Sequence, residues 1–359
     1  MDLKVDWNEE RIISFFERKE SVSRLDCEEV ARNIVGNGAV ARAVGAQGAL
    51  SYTVECTTKT IMSFRQLGCA LDSRVINSAK ERHGRLIPDV SYCGNVGLGD
   101  ETLIAYKMNC LPGNVVAQLY PREAEISDDD KAKIVTFYKH LAGYFARNWL
   151  KPVSESSSWD ASSLTKDRKF RFNTEESKVR HRLGLLKRYH LFPSVDAVVA
   201  RIEESLPTLC SSTGEWPQVL THDDFTKHNI LIDSHTFAIT GIVDWSRALI
   251  GPFGSDLSFL RSMRFLNRDN STTEYSCWWE MEDIFWDEFW ALTKIEESKR
   301  ASTRQLAETA ADLAFLFRYG FYSVLDGVMT ETVAMQYGPL LEASFGLQKS
   351  TSQVENTLR

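Results

Sequence analysis

The sequence predicts an α+β protein in two lobes, a small β-rich N-terminal lobe and a larger, mostly helical C-terminal one. Three observations carry that expectation. Between Val40 and Phe64 polar and apolar residues alternate in short stretches, broken by Gly45, Gly48 and the turn Thr57-Thr58-Lys59, as in antiparallel strands. Beyond about residue 129 the apolar residues recur instead at helical spacing, as in Ile134, Phe137, Leu141 and Tyr144. Between these regions Leu111-Pro112-Gly113 sets two residues that interrupt any regular element. The expected division is residues 1–110 as the first lobe with leading helices, 111–113 as a hinge, and 114–350 as the helical lobe.

Taken in order, residues 7–34 read as two short helices, with Ile12, Phe15 and Phe16 on one face and Val30, Ala31 and Ile34 on another. After the alternating region a helix fits Asp72 to Arg82, and Pro88 precedes strand-like stretches at Val90–Cys93 and Thr102–Met108. The next helix, 129–149, begins with Asp128-Asp129-Asp130, whose charges suit a helix N-terminus. Residues 151–165 are serine-rich and polar, as in an exposed loop. Leu306, Ala310, Leu313, Phe317, Phe321 and Val324 form a late apolar helical stripe, and the tail after Gly346 is expected to fray.

Composition narrows the function classes. A chain of 359 residues, 43% hydrophobic and 25% charged, is long enough for two ordinary domains with a sizeable core. Its net charge of -7 and pI of about 5.6 give no positive field for phosphate backbones or anionic lipid, so neither nucleic acid nor membrane is expected as partner. Seven cysteines stand singly with no CxxC pair, which fits neither a disulfide framework nor a zinc site. The N-terminus lacks the apolar core of a signal peptide and no apolar run is long enough to span a bilayer, so a soluble cytoplasmic protein is expected. Oligomeric state is left open.

The chemistry concentrates in VLTHDDFTKHNILIDSHTFAITGIVDW, residues 219–245. Val219–Thr221, Ile230–Ile232 and Ala238–Val243 read as strands, so Asp224, Asn229 and Asp244 fall at strand ends or in the connecting loop. A transferase using a magnesium nucleotide needs a carboxylate near the acceptor hydroxyl and hard oxygen ligands for the metal. Asp224 suits the first role, and Asn229 and Asp244 the second. His222 has a side chain that titrates near neutrality and is a catalytic candidate, though a bond that holds the loop carrying Asp224 is its simpler role. In the first lobe, Gly48 and Ser51 precede a strand, as a loop covering phosphates would, and equally as an ordinary hairpin turn would.

These residues carry a family resemblance. His222, Asp224 and Asn229 in the order HxDxxxxN, then Asp244-Trp245 and GPFGSDL at 251–257, resemble the aminoglycoside phosphotransferase and choline kinase-like superfamily, above all its fungal members. The resemblance runs from about Gly45 to Leu260 and implies a protein kinase-like fold, with ATP and magnesium as cofactors and a hydroxyl-bearing small molecule as acceptor. It implies that Asp256 braces the catalytic loop, that Arg65 holds the nucleotide phosphates where many relatives have lysine, and that backbone groups around Met108 and Asn109 read the base. Two positions depart from the pattern. The helix after Arg65 lacks the glutamate that normally pairs with this cation, leaving Asp72 or Glu81 as substitutes, and Asp223 stands where relatives commonly have glycine.

The expected function is therefore a small-molecule kinase with Asp224 as base, with ATP and GTP both open as donor. A kinase-like scaffold without phosphotransfer, and a nucleotide-independent acid–base enzyme using Asp223 and Asp224, are the alternatives. Trp278, Trp279, Trp286 and Trp290, interspersed with Glu280, Glu282, Asp283, Asp287 and Glu288, suggest either an organic-cation site or, more simply, helix packing with a solvated acidic face.

Overall fold

A computed structural model describes residues 7–17, 19–36, 38–45, 47–153, 176–189, 193–211, 214, 216–268, 271–320, 340–341 and 343–345. Residues 154–165 of the serine-rich loop, the stripe residues Phe321 and Val324, and the tail after Gly346 lie outside them. Twelve strands are described: β1 Arg42–Ala43, β2 Ser51–Thr57, β3 Thr60–Gln66, β4 Val90–Val96, β5 Leu103–Asn109, β6 Asn114–Val115, β7 Gln218–Thr221, β8 Ile230–Ile232, β9 Ile239–Ile242, β10 Leu249–Pro252, β11 Phe265–Arg268 and β12 Ser271–Glu274. The chain forms two compact units, one of residues 1–119 with 226–248, the other of residues 120–225 with 249–359.

The first unit is built on an antiparallel sheet in the order β1-β2-β3-β5-β4. Alternation sorts its residues by face. Tyr52, Val54 and Cys56 of β2, Met62 and Phe64 of β3, and Leu103 and Ala105 of β5 are buried together under the helices Trp7–Phe16 and Arg24–Val35, which add Ile12, Phe15, Cys27 and Ala31. The larger aliphatic and phenyl side chains among them, such as Val54, Met62, Phe64 and Leu103, each contribute about 1.5–3 kcal/mol on leaving water. The second helix starts on a capping box, Ser23 and Asp26 each accepting from the other's backbone N–H. Ser63, Arg65 and Tyr106 belong to the opposite face, with Ser63 paired to Tyr106 across the sheet.

A smaller sheet, β6-β8-β9, completes this unit. The segment Leu111-Pro112-Gly113 is packed against its hairpin. Thr240 Oγ1 donates to the Pro112 carbonyl at 2.6 Å, and a Cβ on Gly113, whose φ is +105°, would lie 2.6 Å from the Ile232 carbonyl oxygen. Glycine is what that approach allows.

The second unit is mainly helical. The long helix Asp128–Leu150 is capped by Ser127, which accepts from the Asp130 N–H, and packs along Trp278–Thr293. Phe145, Trp149, Phe253, Phe285 and Phe289 interlock there edge-on or stacked. A separate apolar cluster joins the helices Glu176–Tyr189, Pro193–Leu209 and Glu297–Tyr319 through Leu183, Val199, Ile202, Leu313 and Leu316. The small pair β7–β10 lies in this unit, Thr221 opposite Leu249.

Candidate active site

The first unit gathers the residues suited to a metal and a nucleotide. In the β8–β9 hairpin Ile230 faces Ile242, and one step further out the Val243 N–H donates to the Asn229 carbonyl at 2.9 Å. Asn229 and Asp244 therefore emerge at the same end of one hairpin. Asp244 has φ +63° and ψ +58°, a left-handed conformation that Asp tolerates better than most residues, and turns the chain into the short 3-10 segment Trp245–Arg247. Trp245 is buried, donates from Nε1 to the Ile242 carbonyl at 3.0 Å and lies against His83.

Arg65 reaches Asp244. From β3 its Nη1 and Nη2 donate to Asp244 Oδ1 at 2.9 and 2.8 Å, its Nη1 to the Cys69 carbonyl and its Nε to Ser63 Oγ. Ser246 Oγ donates to the same carboxylate oxygen at 2.8 Å. With Arg65 itself only 6% exposed, the cation is a buried one that needs its partner. The expected substitutes for the missing helix glutamate do not take that place. Asp72 instead caps the Ser73–His83 helix, accepting from the Arg74 N–H and pairing with the Arg74 side chain, and Glu81 is exposed.

The second unit holds Asp224. The loop after β7 is fixed from three sides. Fully buried His222 donates its N–H to Asp256 Oδ2 at 2.6 Å, Asp223 donates its N–H to Asp256 Oδ1 at 3.1 Å, and the Asp224 N–H donates to His222 Nδ1 at 3.3 Å. With Nδ1 accepting, a neutral His222 carries its proton on Nε2. Phe225 stacks on Tyr144 at 4.9 Å and meets Phe259 edge-on. Asp223 has φ +57°, a left-handed position that the glycine expected there from the family resemblance would suit and that Asp tolerates better than most residues. Burial pushes the Asp256 carboxyl up to about 7, the two backbone donors opposing and the Asp223 charge assisting.

A guanidinium also meets Asp224. Arg318, in the last turn of the Glu297–Tyr319 helix, donates from Nη2 to Asp224 Oδ1 at 2.5 Å and from Nη1 to the Asp223 carbonyl at 3.5 Å. Sequence reasoning missed it because the partners stand 94 residues apart and Arg318 is one of several charged residues on an amphipathic helix. It missed Gln47 as well. The loop from Val44 to Leu50 joins the antiparallel strands β1 and β2, and the buried Gln47 side chain exchanges hydrogen bonds with both backbone groups of Thr53. Asn8 and Arg11 of the first helix hold the Gln47 backbone. In this loop Gly48 is exposed, and Ser51, the first residue of β2, is buried.

Met108 is half-buried near the end of β5, and the Asn109 side chain is engaged, its Oδ1 accepting from the Asp89 N–H at 2.6 Å. The tryptophan cluster is core. Trp278, Trp286 and Trp290 are buried, and Arg304, Arg264 and Arg300 lie over Trp286, Trp279 and Trp290. All seven cysteines are free thiols. Among the described residues no helix is long and apolar enough to cross a membrane.

Comparison with known proteins agrees with the motif. Residues 95–276 match the model of the phosphotransferase enzyme family. Among solved structures the chain is similar to an aminoglycoside-3'-phosphotransferase of type VIII, at 19% identity and TM-score 0.44 over 79% of this chain and 98% of that one. It is similar also to the GDP complex of wild-type aminoglycoside 2'-phosphotransferase-IIIa, at 12% identity and TM-score 0.43 over 94% and 95% of the two chains. A third is APH(3'')-Id from Streptomyces rimosus, at 13% identity and TM-score 0.44 over 81% and 99%. These scores are low, and no curated protein matches the sequence. The assignment rests on the family match, which spans half of the chain and takes in the β5 strand, the HxDxxxxN loop, Asp244 and Asp256: the chain belongs to the phosphotransferase enzyme family.

Proposed function

We propose that this phosphotransferase moves the γ-phosphate of Mg-ATP onto a hydroxyl of a small metabolite, with Asp224 as catalytic base. The observation that carries the reading is the rigid seating of that carboxylate. His222, Phe225 and Asp256 fix the backbone around it, while its side chain stays 25% exposed. A base held by its neighbours and reachable from solvent is what positioning catalysis requires.

The metal-binding role fits the first unit. Asn229 and Asp244 supply an amide oxygen and a carboxylate at one hairpin end, the hard donors that magnesium prefers. Among the described residues no group of three or more His, Cys, Asp or Glu could hold a metal, so magnesium here would take its remaining ligands from phosphate and water. When bound, magnesium neutralises phosphate charge as the γ-group transfers. Arg65 and Ser246 hold Asp244 Oδ1, which orients the carboxylate before any ligand arrives. Asp224 aligns the acceptor hydroxyl and takes its proton. The hydroxyl oxygen bonds to the γ-phosphorus, the bond to the β–γ bridging oxygen breaks, ADP leaves, and the proton passes from Asp224 to solvent.

His222 acts in this scheme as a positioning residue, since its buried Nδ1 is engaged with the Asp224 N–H. Gly48 and Ser51 are assigned to the phosphate-covering loop, Arg65 to phosphate as well as to Asp244, and the backbone of Met108 and Asn109 to the base. The test is ADP release on a panel of hydroxyl acceptors, comparing wild type with Asp224→Asn. The expected result is nucleotide binding retained with turnover reduced about 10²–10⁴-fold. Near-full turnover in the variant would overturn the assignment of the base.

A further inference from the structure

In the second unit two guanidiniums, those of Arg318 and Arg182, act on Asp224 and Asp223, while the Asp256 carboxyl sits beneath the Asp223 N–H. Arg318 grips Asp224 Oδ1 and is itself 34% exposed, so it can be reached from solvent. Arg182, on the Glu176–Tyr189 helix, lies over the Phe317 ring at 4.1 Å, and the Asp223 charge acts on it. Burial pulls the Arg182 guanidinium down from its ordinary value, as expected for a cation drawn out of water.

Two carboxylates of the tryptophan-rich helix are already paired. Glu282 pairs with Arg304 at 2.9 Å and Glu280 with Lys131 at 2.6 Å, and arginines of the same unit lie over the rings of Trp279 and Trp286. A positively charged acceptor that engaged Asp224 would displace Arg318 and leave that guanidinium without its carboxylate. An anionic one meets the planar fork that matches carboxylate and phosphate oxygens. It also resolves the position of the base. An anion that takes over the Arg318 N–H groups keeps that cation paired while leaving Asp224 to the hydroxyl.

We propose that the acceptor is an anionic alcohol, whose carboxylate or phosphate group is bound by Arg318 in the field of Arg182 and whose hydroxyl is thereby set against Asp224. The proposal rests on the phosphotransferase reading above and deepens it by naming the substrate class.

The test uses four three-carbon probes small enough to enter the subsite of any larger acceptor: glycerate, glycerol 3-phosphate, glycerol and 3-amino-1,2-propanediol. Binding to the full chain is measured by ligand-observed NMR, and Mg-ATP binding is measured separately by calorimetry. The expected result is binding of at least one anion, with neither the neutral nor the cationic probe bound comparably, and a loss of about tenfold or more in Arg318→Gln. The carboxylate and phosphate arms say which anion is preferred. Arg318→Lys, which keeps the charge without the fork, is expected to fall between the two and serves where the glutamine variant does not fold. Equal binding of glycerol or the amine, unchanged anion affinity in the folded Arg318 variant, or no anion binding by a protein that binds Mg-ATP would each overturn the proposal. Failure to bind Mg-ATP would overturn the phosphotransfer reading instead, whatever the anions do.

Discussion

Asp256 shows how one buried side chain serves the loop above it. Its carboxyl, pushed by burial from the ordinary 3.8 to about 7, accepts the N–H groups of His222 and Asp223. The folded form therefore holds a proton that the unfolded chain has already released between those two values. Its contribution to stability is full below about pH 4, falls as pH rises through the window, and is gone above about pH 7, a change of at most about 4 kcal/mol. Denaturant unfolding across that range should show this slope in wild type and lack it in Asp256→Asn. A variant with the same slope would place the titration elsewhere. At this scale the sequence was informative where a residue sits inside a motif, as with Asp224, Asn229, Asp244 and Asp256. It was silent on Arg318 and Arg182, because an arginine on a helix looks the same whether it faces water or a carboxylate far along the chain.

Among the elements, the turn in GPFGSDL has the strictest steric requirement. Gly254 has φ +107°, and a Cβ there would lie 2.3 Å from the carbonyl oxygen of Ala307 in the Glu297–Tyr319 helix. The same turn leads directly into Asp256, so close packing against that helix also sets the brace beneath His222. Gly254→Ala should destabilise the protein by more than about 2 kcal/mol, combining backbone strain with overpacking. An unfolding midpoint within error of wild type would contradict this. The strands and hairpins were legible because alternation and turn residues mark them locally: Asp233 Oδ1 accepts from the His235 and Thr236 N–H groups and closes the β8–β9 turn. The pairing of Arg65 with Asp244 was not legible, since it joins β3 to a hairpin end 179 residues away.

For the molecule as a whole, the informative fact is that residues 226–248 belong with the N-terminal sheet although residues on both sides of them belong to the helical unit. No composition shift marks that return in the sequence, whose reading drew only one boundary, at 111–113. The return places Asn229 and Asp244 in the same compact unit as Arg65 and the β1–β2 loop, the residues assigned to nucleotide and metal. The central claim is that this set binds a magnesium nucleotide. The most direct measurement is calorimetry of ATP binding with and without magnesium, in wild type and in Asp244→Ala. Magnesium-dependent binding in wild type, weakened about tenfold or more in the variant, is the predicted result. No binding by folded wild-type protein, or magnesium-dependent binding of equal strength in Asp244→Ala, would contradict it.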